Sequence, residues 1–375
     1  MSTSPTKSSQ TQAEAFAEEF LEPIAADLDR TGSFPRALVA ELARQQLLVL
    51  PTVKDGFAHH VETVQTISQA CPAVATILNN HALAAYAIFK WGTEAQNKAH
   101  AAGLAQGEKL GALAIHESGP GLGLGPDALA AVIAGGKVTL NGKKTSIRNA
   151  GVADVYVGVA RHAGAPGAAS SVVFIAEAKT AGISIGATYP TMGLRGCPVA
   201  DVTFENVVLE EASLVGTAET GNALVAELLA ALAIGQAAQT VGIGKAAARH
   251  AAAAARHRVQ FGHPIASLQA IQLLLAEIAT DTHLAWHGVL HAAQLADAGA
   301  PFAIEAAMVQ SFLGRFGQKI LVDAVQIEGG MGICEIVPPH FQGTLPLARL
   351  FRDIAGTTLL DAPGDFPESL VAASL

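Results

Sequence analysis

Charged and aromatic residues are scarce in this sequence of 375 residues. Only 15% of the residues are charged and 5% are aromatic, whereas 50% are hydrophobic. This composition is far from that of a disordered chain and predicts a large buried core, enough for two or three domains. The formal net charge is −9. We expect no nucleic-acid partner, because neutralising phosphates requires clustered Lys and Arg.

Cysteine is equally scarce, and no segment has the composition of a membrane helix. The three cysteines are far apart and odd in number, which argues against a disulfide framework or a zinc knuckle and indicates a reducing cytoplasm. The N-terminal stretch MSTSPTKSSQTQ is polar and lacks the apolar core of a secretory signal. The most apolar stretch, 223–248, contains Glu227 and Lys245 among its polar residues. It therefore predicts a buried helix and no membrane span.

Two regions with helical periodicity flank a central region of short strands. Apolar residues recur at four-residue steps between 12 and 108, and long apolar runs separated by short breaks fill 217–332. We predict a mainly α fold with an N-terminal helical domain (1–110), an antiparallel β-barrel (111–216) and a C-terminal four-helix bundle (217–375).

The central region consists of alternating, β-branched runs with no helix-length segment between them. This pattern excludes βαβ units and favours an antiparallel sheet or barrel. In KVTLNGKKTSI, the pair Asn141-Gly142 lies between two strand-like runs. Because Asn-Gly is the strongest short hairpin signal, we predict a tight turn at this pair.

The run GPGLGLGP at 119–126 resembles a phosphate-binding loop at first sight. After Gly121 and Gly123, however, the third position of a dinucleotide fingerprint is Pro126, and no Lys-Ser/Thr pair follows. The next segment is strand-like, so the Rossmann and P-loop interpretations fail. A loop that lets a flat ligand lie against the backbone and an ordinary tight turn both remain open.

Four stretches, in this order and spacing, resemble the acyl-CoA dehydrogenase family of flavoproteins. GLRGCPVADVTFENVVLEEASLVG (193–216) is similar to that family's passage from the β domain into the bundle, and RHRVQFGHPIASLQAIQLLLAEI (256–278) to its Arg-x-x-Phe-Gly helix end. QIEGGMGI (326–333) resembles its Gln-x-x-Gly-Gly-x-Gly motif, and LARLFRD (347–353) resembles its Arg-Asp signature.

The resemblance implies FAD as cofactor and assigns residues to it. AIHESGPGLG is similar to the family's flavin-facing loop, Arg258 to the cation for the FAD pyrophosphate, and Gln326 to a group that reaches the adenine side across a subunit interface. A homotetramer or dimer is thereby implied. The cofactor-binding residues implied are His116, Ser118, Ile147, Arg148, Arg258, Gln260, Phe261, Gln326, Gly329 and Gly330. On the residues alone, Arg258 is also a helix-ending cation and the two glycines are also a helix stop.

One carboxylate stands where the resemblance implies the catalytic base. The family has a Glu eight residues after the aspartate of its Arg-Asp signature, and eight residues after Asp353 stands Asp361. The following Gly-Thr of the family is here Ala362-Pro363. Removing hydrogens from adjacent carbons of an acyl thioester requires a base for the α-proton, so Asp361 is the predicted catalytic residue. A turn-forming Asp before Pro and Gly is the alternative.

Around the predicted flavin site the sequence departs from the family pattern at several positions. His116 and Arg148 replace Thr, Ser146 replaces Trp, Leu122 replaces Ser, and Pro363 replaces the Thr after the base. These changes leave three functions open: an FAD-dependent α,β-dehydrogenase of acyl-CoA or of an acyl carrier protein, a flavin-dependent oxidase or monooxygenase, and a degenerate subunit that pairs with an active homologue. For a dehydrogenase, the resemblance implies an electron-transfer flavoprotein as partner.

No metal centre is expected. His283, His287 and His291 follow each other at four-residue steps on one predicted helix face. Three histidines in a row along a helix cannot all reach one ion, and an exposed or interface face is the preferred interpretation.

Overall fold

Helices form both ends of the chain, and strands form its centre. The computed structural model describes residues 9–48, 55–118, 128–163, 170–335, 347–358 and 366–375. The helices are α1 (Ser9–Phe16), α2 (Ala25–Thr31), α3 (Arg36–Arg44), α4 (Gly56–Ala70), α5 (Pro72–Trp91), α6 (Glu94–Ala105), α7 (Gly221–His257), α8 (Gln269–Asp297), α9 (Ala303–Glu328), α10 (Leu347–Thr358) and α11 (Phe366–Ala372). The strands are β1 (Gly111–Ala114), β2 (Ala130–Ala134), β3 (Lys137–Arg148), β4 (Val155–His162), β5 (Ser171–Glu177), β6 (Ile183–Ile185), β7 (Val199–Glu210), β8 (Leu214–Val215), β9 (Val259–Gln260) and β10 (His263–Pro264). The predicted order of helices, strands and long helices is confirmed.

Helix α5 lies at the centre of the N-terminal helices and contacts α4, α6, α7 and β1. It begins with Pro72, whose fixed φ suits the first turn of a helix. Next along the chain, α6 begins with a capping box in which Thr93 accepts the Gln96 N–H and Gln96 accepts the Thr93 N–H. Burial of α5 on nearly all sides places its polar side chains in the interior of the molecule.

The central sheet has the strand order β6-β7-β3-β2-β4-β5-β8, with β1 beside β4. The predicted antiparallel pairing holds for five strand pairs, but β4 pairs in parallel with both β1 and β2. Each of these parallel neighbours reaches β4 through a long connection, as parallel pairs require. The inner side of the sheet buries its own apolar cluster, which includes Tyr156, Phe174 and Phe204.

The predicted hairpin turn at Asn141-Gly142 is wrong. Both residues lie inside β3, where the register against β7 shifts between Leu140 and Gly142 and forms a bulge. The tight turn falls earlier, at Gly135 and Gly136, whose φ angles of 58° and 75° suit the hairpin between β2 and β3. Pairing of β7 along nearly the whole of β3 outweighs the local preference of Asn-Gly for a turn.

Helix α7 is 37 residues long and packs against α4, α5, α8, α9 and α10. By length and composition it could cross a membrane, but 83% of its most apolar window is buried inside the molecule. This burial fits the predicted core helix.

Candidate active site

A small cavity lies where the sheet meets the helical core. The sheet side contributes His116, Ser146 and Arg148, which follow or end β1 and β3. The helical side contributes Asn80 of α5 and Leu232 of α7. Leu113 and Ile115 complete the lining. Two predicted flavin-facing residues, His116 and Arg148, are therefore brought together, and Ser146, one of the departures from the family pattern, joins them.

The Arg148 side chain ties this cavity to the C-terminal helices. Only 5% of the residue is exposed, and its Nη2 donates a hydrogen bond to the Gly356 carbonyl of α10 at 3.1 Å. Ile147, the next predicted residue, is buried in the sheet core, so its side chain does not line the cavity. Ser118 is exposed and is the last residue described before 119–127.

A buried ion pair joins β3 to the residues that precede the glycine-rich segment in the chain. Lys144 Nζ lies 2.5 Å from Glu117 Oε1 and also donates to the Ile115 carbonyl at 3.0 Å. Glu117 accepts the Leu129 N–H at 2.9 Å, which joins the residues before and after the segment. Burial lowers the pKa of Lys144 to about 8, and the attraction of Glu117 opposes this shift. The sequence motifs do not point to this pair, although a Lys inside a β-branched run was the available signal.

A neutral histidine positions the strand that leads into the cavity. His81 Nδ1 accepts the Gly111 N–H at 3.0 Å, so Nε2 carries the proton that it donates to the Leu104 carbonyl at 3.1 Å. Asn149 donates to the carbonyls of Ile77 and Gly111 from the end of β3. Together these side chains fix β1 and β3 to α5.

We expect the free energy of unfolding to fall as the pH is lowered from about 6.5 to 4, in part through His81. Burial lowers the pKa of His81 to about 4, so the unfolded chain binds a proton in this range that the folded chain does not. The loss attributable to His81 is about 3 kcal/mol. Urea unfolding of wild type and His81→Gln at both pH values measures it, since Gln can make both hydrogen bonds without titrating. Equal pH dependence in the two proteins would contradict this role.

The aspartate of the Arg-Asp stretch has a structural role. Asp353 is 2% exposed and accepts the Leu194 N–H at 2.6 Å, while Arg349 Nη1 lies 3.6 Å from its other oxygen. Leu194 has a φ of 56°, so the hydrogen bond holds a loop of the central region in a left-handed conformation against α10. Burial raises the pKa of Asp353 to about 6 in spite of Arg349.

A second group of predicted residues lies at the ends of α7 and α9. Arg258 Nη1 donates to the Glu328 carbonyl at 3.1 Å, directly beside Gly329. Gly329 has a φ of 66°, and a Cβ there would lie 2.9 Å from Arg258 Nη1. Gln326 is exposed one turn earlier, and a Cβ at Gly330 would meet open space. Gly329 thus lets the guanidinium lie against the backbone of the turn.

The hairpin of β9 and β10 extends this group. Phe261 is 88% exposed and has a φ of 53°, an uncommon conformation for a bulky residue. Gln260 is also exposed and donates to the Val259 carbonyl. An exposed aromatic side chain three residues after Arg258 in the chain is suited to contact a second molecule.

The chemistry of both groups can be compared with what FAD requires. A pyrophosphate accepts charge-assisted hydrogen bonds, which a guanidinium can donate. It also binds close to the backbone, which a glycine turn allows where a Cβ would be crowded. The cavity of the first group is lined by three apolar and four polar residues, a mixture suited to the edge of a ring that carries hydrogen-bonding groups.

Several predicted residues are not part of either group. Asp361, Leu122 and Pro363 lie outside the described residues. His283 and His287 are exposed on α8 with ring centroids 4.5 Å apart. Within the described ranges, no three His, Cys, Asp or Glu side chains are grouped so that they could hold a metal ion.

Comparison with known proteins identifies the family of this chain as a family of FAD-dependent oxidoreductases. The sequence matches three descriptions in order: "Acyl-CoA dehydrogenase, N-terminal domain" over 4–108, "middle domain" over 112–207 and "C-terminal domain" over 219–374. An acyl-CoA dehydrogenase of Bacillus subtilis (strain 168) is 32% identical over 367 residues, which are 96% of this chain and 95% of the relative.

Two further relatives agree with this assignment. Acryloyl-CoA reductase (NADH) of Anaerotignum propionicum is 32% identical over 368 residues, which are 96% of this chain and 91% of the relative. The solved structure of butyryl-CoA dehydrogenase from Megasphaera elsdenii has a TM-score of 0.89 at 27% identity and covers 100% of this chain and 99% of that chain. The chain belongs to the acyl-CoA dehydrogenase family, and its reaction is FAD-dependent dehydrogenation of the CH–CH bond of an acyl-CoA.

Proposed function

We propose that the acyl group reacts at the cavity between His116, Ser146 and Arg148 on one side and α5 and α7 on the other. The convergence of sheet and helical residues on this one cavity carries the proposal. Bound FAD would supply the acceptor for the β-hydride. The chain's own part is to hold the acyl thioester, exclude water with the buried walls, and remove the α-proton.

Asp361 is the proposed base for the α-proton. Its spacing from Asp353 supports this role, because the hydrogen bond of Asp353 to Leu194 anchors α10 against the central region, and α10 ends three residues before Asp361 in the chain. The Arg148 hydrogen bond to Gly356 supports it as well, since it ties the last turns of the same helix to the wall of the cavity. Both hydrogen bonds therefore hold in place the helix that precedes Asp361 in the chain.

Arg258, Gln260, Phe261, Gln326, Gly329 and Gly330 are proposed to contact FAD held by a neighbouring subunit. Their outward exposure supports this, since Phe261 and the open face of Gly330 are available to a second molecule.

We expect the purified protein to sediment as a homodimer or homotetramer. The exposed apolar side chains of Val259, Phe261 and Ile333 would otherwise face water. Analytical ultracentrifugation with detection at both 280 nm and the flavin band measures mass and cofactor together. A monomer that carries its full flavin would contradict the shared site, and a larger species containing a second, homologous chain would favour a hetero-oligomer.

Anaerobic titration with acyl thioesters tests the proposed reaction. Addition of butyryl-CoA should bleach the flavin absorbance and produce the α,β-unsaturated thioester, and butyryl carried on an acyl carrier protein is the matched second substrate. A flavin that stays oxidised with every thioester would refute the proposed function. Re-oxidation by an electron-transfer flavoprotein but not by air separates the dehydrogenase from an oxidase.

The three free cysteines support a reducing, cytoplasmic location.

A further inference from the structure

A β-bulge in β3 places Ser146 at the cavity. The register of β3 against β7 shifts between Lys144 and Ile147. Two residues of β3, Thr145 and Ser146, therefore stand opposite the single residue Asp201 of β7. Ser146 has a φ of 56°, a left-handed conformation that costs free energy in a residue other than glycine. Bulges re-aim side chains, and the bulged Ser146 is one of the residues that line the cavity.

The carboxylate of Asp201 holds this bulge in place. Its Oδ1 accepts the Ser146 N–H at 3.3 Å and also accepts the Tyr189 O–H. Its Oδ2 lies 3.3 Å from Lys143 Nζ. Burial opposes ionisation, but the hydrogen bonds from Tyr189 and Ser146 and the charge of Lys143 hold the pKa of Asp201 below its ordinary value. Asp201 is therefore ionised at neutral pH and can only accept hydrogen bonds.

Tyr189 is fixed beside Asp201 by its own backbone. Its N–H donates to the Val199 carbonyl at 2.8 Å, and the Gly186 N–H donates to the Asp201 carbonyl at 2.9 Å. The segment after β6 thus runs along the start of β7. The Tyr189 side chain is 39% exposed, and its hydroxyl contacts the Ser146 hydroxyl as well as Asp201. Ser146 therefore connects the cavity with a tyrosine at the surface.

The direction of the hydrogen bonds in this chain of side chains is fixed. Because the Asp201 carboxylate only accepts, the Tyr189 hydroxyl donates its one hydrogen to it. The Tyr189 oxygen is then left as an acceptor, so Ser146 donates its hydroxyl hydrogen to Tyr189. Only lone pairs remain on Ser146 Oγ for a molecule in the cavity. Towards the cavity, Ser146 is an acceptor and not a donor.

An acceptor in the cavity distinguishes the two redox states of a flavin. Two-electron reduction adds a hydrogen to a ring nitrogen that only accepts hydrogen bonds in the oxidised flavin. A side chain that only accepts can pair with this N–H after reduction, whereas before reduction it faces another acceptor. Such a side chain therefore binds the reduced ring more tightly than the oxidised ring.

We propose that Tyr189 and Asp201 are positioning residues that orient the Ser146 hydroxyl as an acceptor, so that this chain holds reduced FAD in preference to oxidised FAD. The resulting rise in the midpoint potential of the flavin favours uptake of the hydride from the acyl thioester. This inference rests on the proposed function, because it takes the cavity as the place where the flavin ring meets the acyl group.

The midpoint potential of the FAD-loaded enzyme tests the proposal without any thioester. Anaerobic reduction by xanthine and xanthine oxidase, beside a reference dye, measures this potential. In Ser146→Ala, the preference for reduced FAD should fall by about 3- to 10-fold, the effect of one neutral hydrogen bond. A tenfold fall lowers the potential of a two-electron couple by about 30 mV. Tyr189→Phe should also lower the potential, because the Ser146 hydrogen is then free to turn into the cavity.

Two further variants separate an effect through Ser146 from other effects. The double variant Ser146→Ala/Tyr189→Phe should have the same potential as Ser146→Ala, since Tyr189 acts only through Ser146. Met192→Ala is the matched control, because it truncates another exposed side chain of the same loop and should keep the wild-type potential.

A wild-type potential in Ser146→Ala or Tyr189→Phe would overturn the proposal. A further fall in the double variant, or an equal fall in Met192→Ala, would overturn it as well. If butyryl-CoA bleaches the flavin and the potentials do not differ, only this inference is refuted. If the potentials fall as expected but no thioester bleaches the flavin, only the proposed reaction is refuted. Wild-type protein that takes up no FAD would refute both.

Discussion

Asp361→Asn should bind FAD and the unreactive thioether S-butyl-CoA as wild type does, yet reduce its flavin with butyryl-CoA about 100-fold more slowly, or slower still. The amide has nearly the size and shape of the carboxylate, but it lacks the basic lone pair that takes the α-proton. The thioester carbonyl makes the α-proton more acidic but does not remove it. Tight binding of the substrate therefore cannot restore the rate that is lost with the base. Anaerobic stopped-flow absorbance at the flavin band measures the rate.

Two variants control this experiment. Asp361→Glu restores the longer side chain implied by the family resemblance and should retain measurable activity if the pocket has room for it. Asp365→Asn changes the next carboxylate along the chain and should behave as wild type. A wild-type rate of bleaching in Asp361→Asn would show that the base lies elsewhere and that Asp361 only forms the turn before Pro363.

Arg258→Ala should weaken retention of FAD by about 10- to 100-fold, which corresponds to the roughly 1.5–3 kcal/mol of a hydrogen bond to a charged group. The guanidinium already donates to the Glu328 carbonyl, and its remaining donors are available to a pyrophosphate. Flavin fluorescence released from the holoenzyme during dilution and ultrafiltration gives the dissociation constant.

Arg256→Ala separates cofactor binding from helix capping. Arg256 is an exposed cation in the last turn of the same helix, α7. If Arg258 acts only on the helix dipole, the two substitutions should have similar small effects on stability and none on flavin content. Full flavin content in Arg258→Ala would therefore remove the residue from the cofactor site.

Local sequence patterns were sufficient for the architecture. The four-residue apolar steps and the β-branched alternation predicted helices, strands and helices in the observed order, because each periodicity reflects which face of an element is buried. Local signals failed where long-range pairing competed with them. Asn141-Gly142 became a bulge because β7 pairs along β3 on both sides of it. The apolar steps before residue 31 are interrupted by a π-turn at Ala17–Leu21.

The candidate site was only partly predictable. The motifs indicated Arg258, Gln326 and Gly329 as candidate site residues. In the structure, the Arg258 guanidinium contacts the Glu328 carbonyl and lies against Gly329. The groups that hold the site in place carried no motif signal of their own. Glu117 and Lys144 are 27 residues apart, and Asp353 is 159 residues from Leu194, so nothing local marks them as partners.

By itself, the sequence determined the order of the helical and sheet regions, the long buried helix α7, and the positions of the cofactor motifs. Each of these features follows from the spacing of residues that are close together in the sequence. Only the tertiary structure decided the tautomer of His81, the burial of Asp353 and Lys144, and the hydrogen bond of the Ser146 N–H to Asp201. Those properties depend on which distant backbone comes within hydrogen-bond or van der Waals distance, and that is settled by packing of the helices against the sheet and against one another.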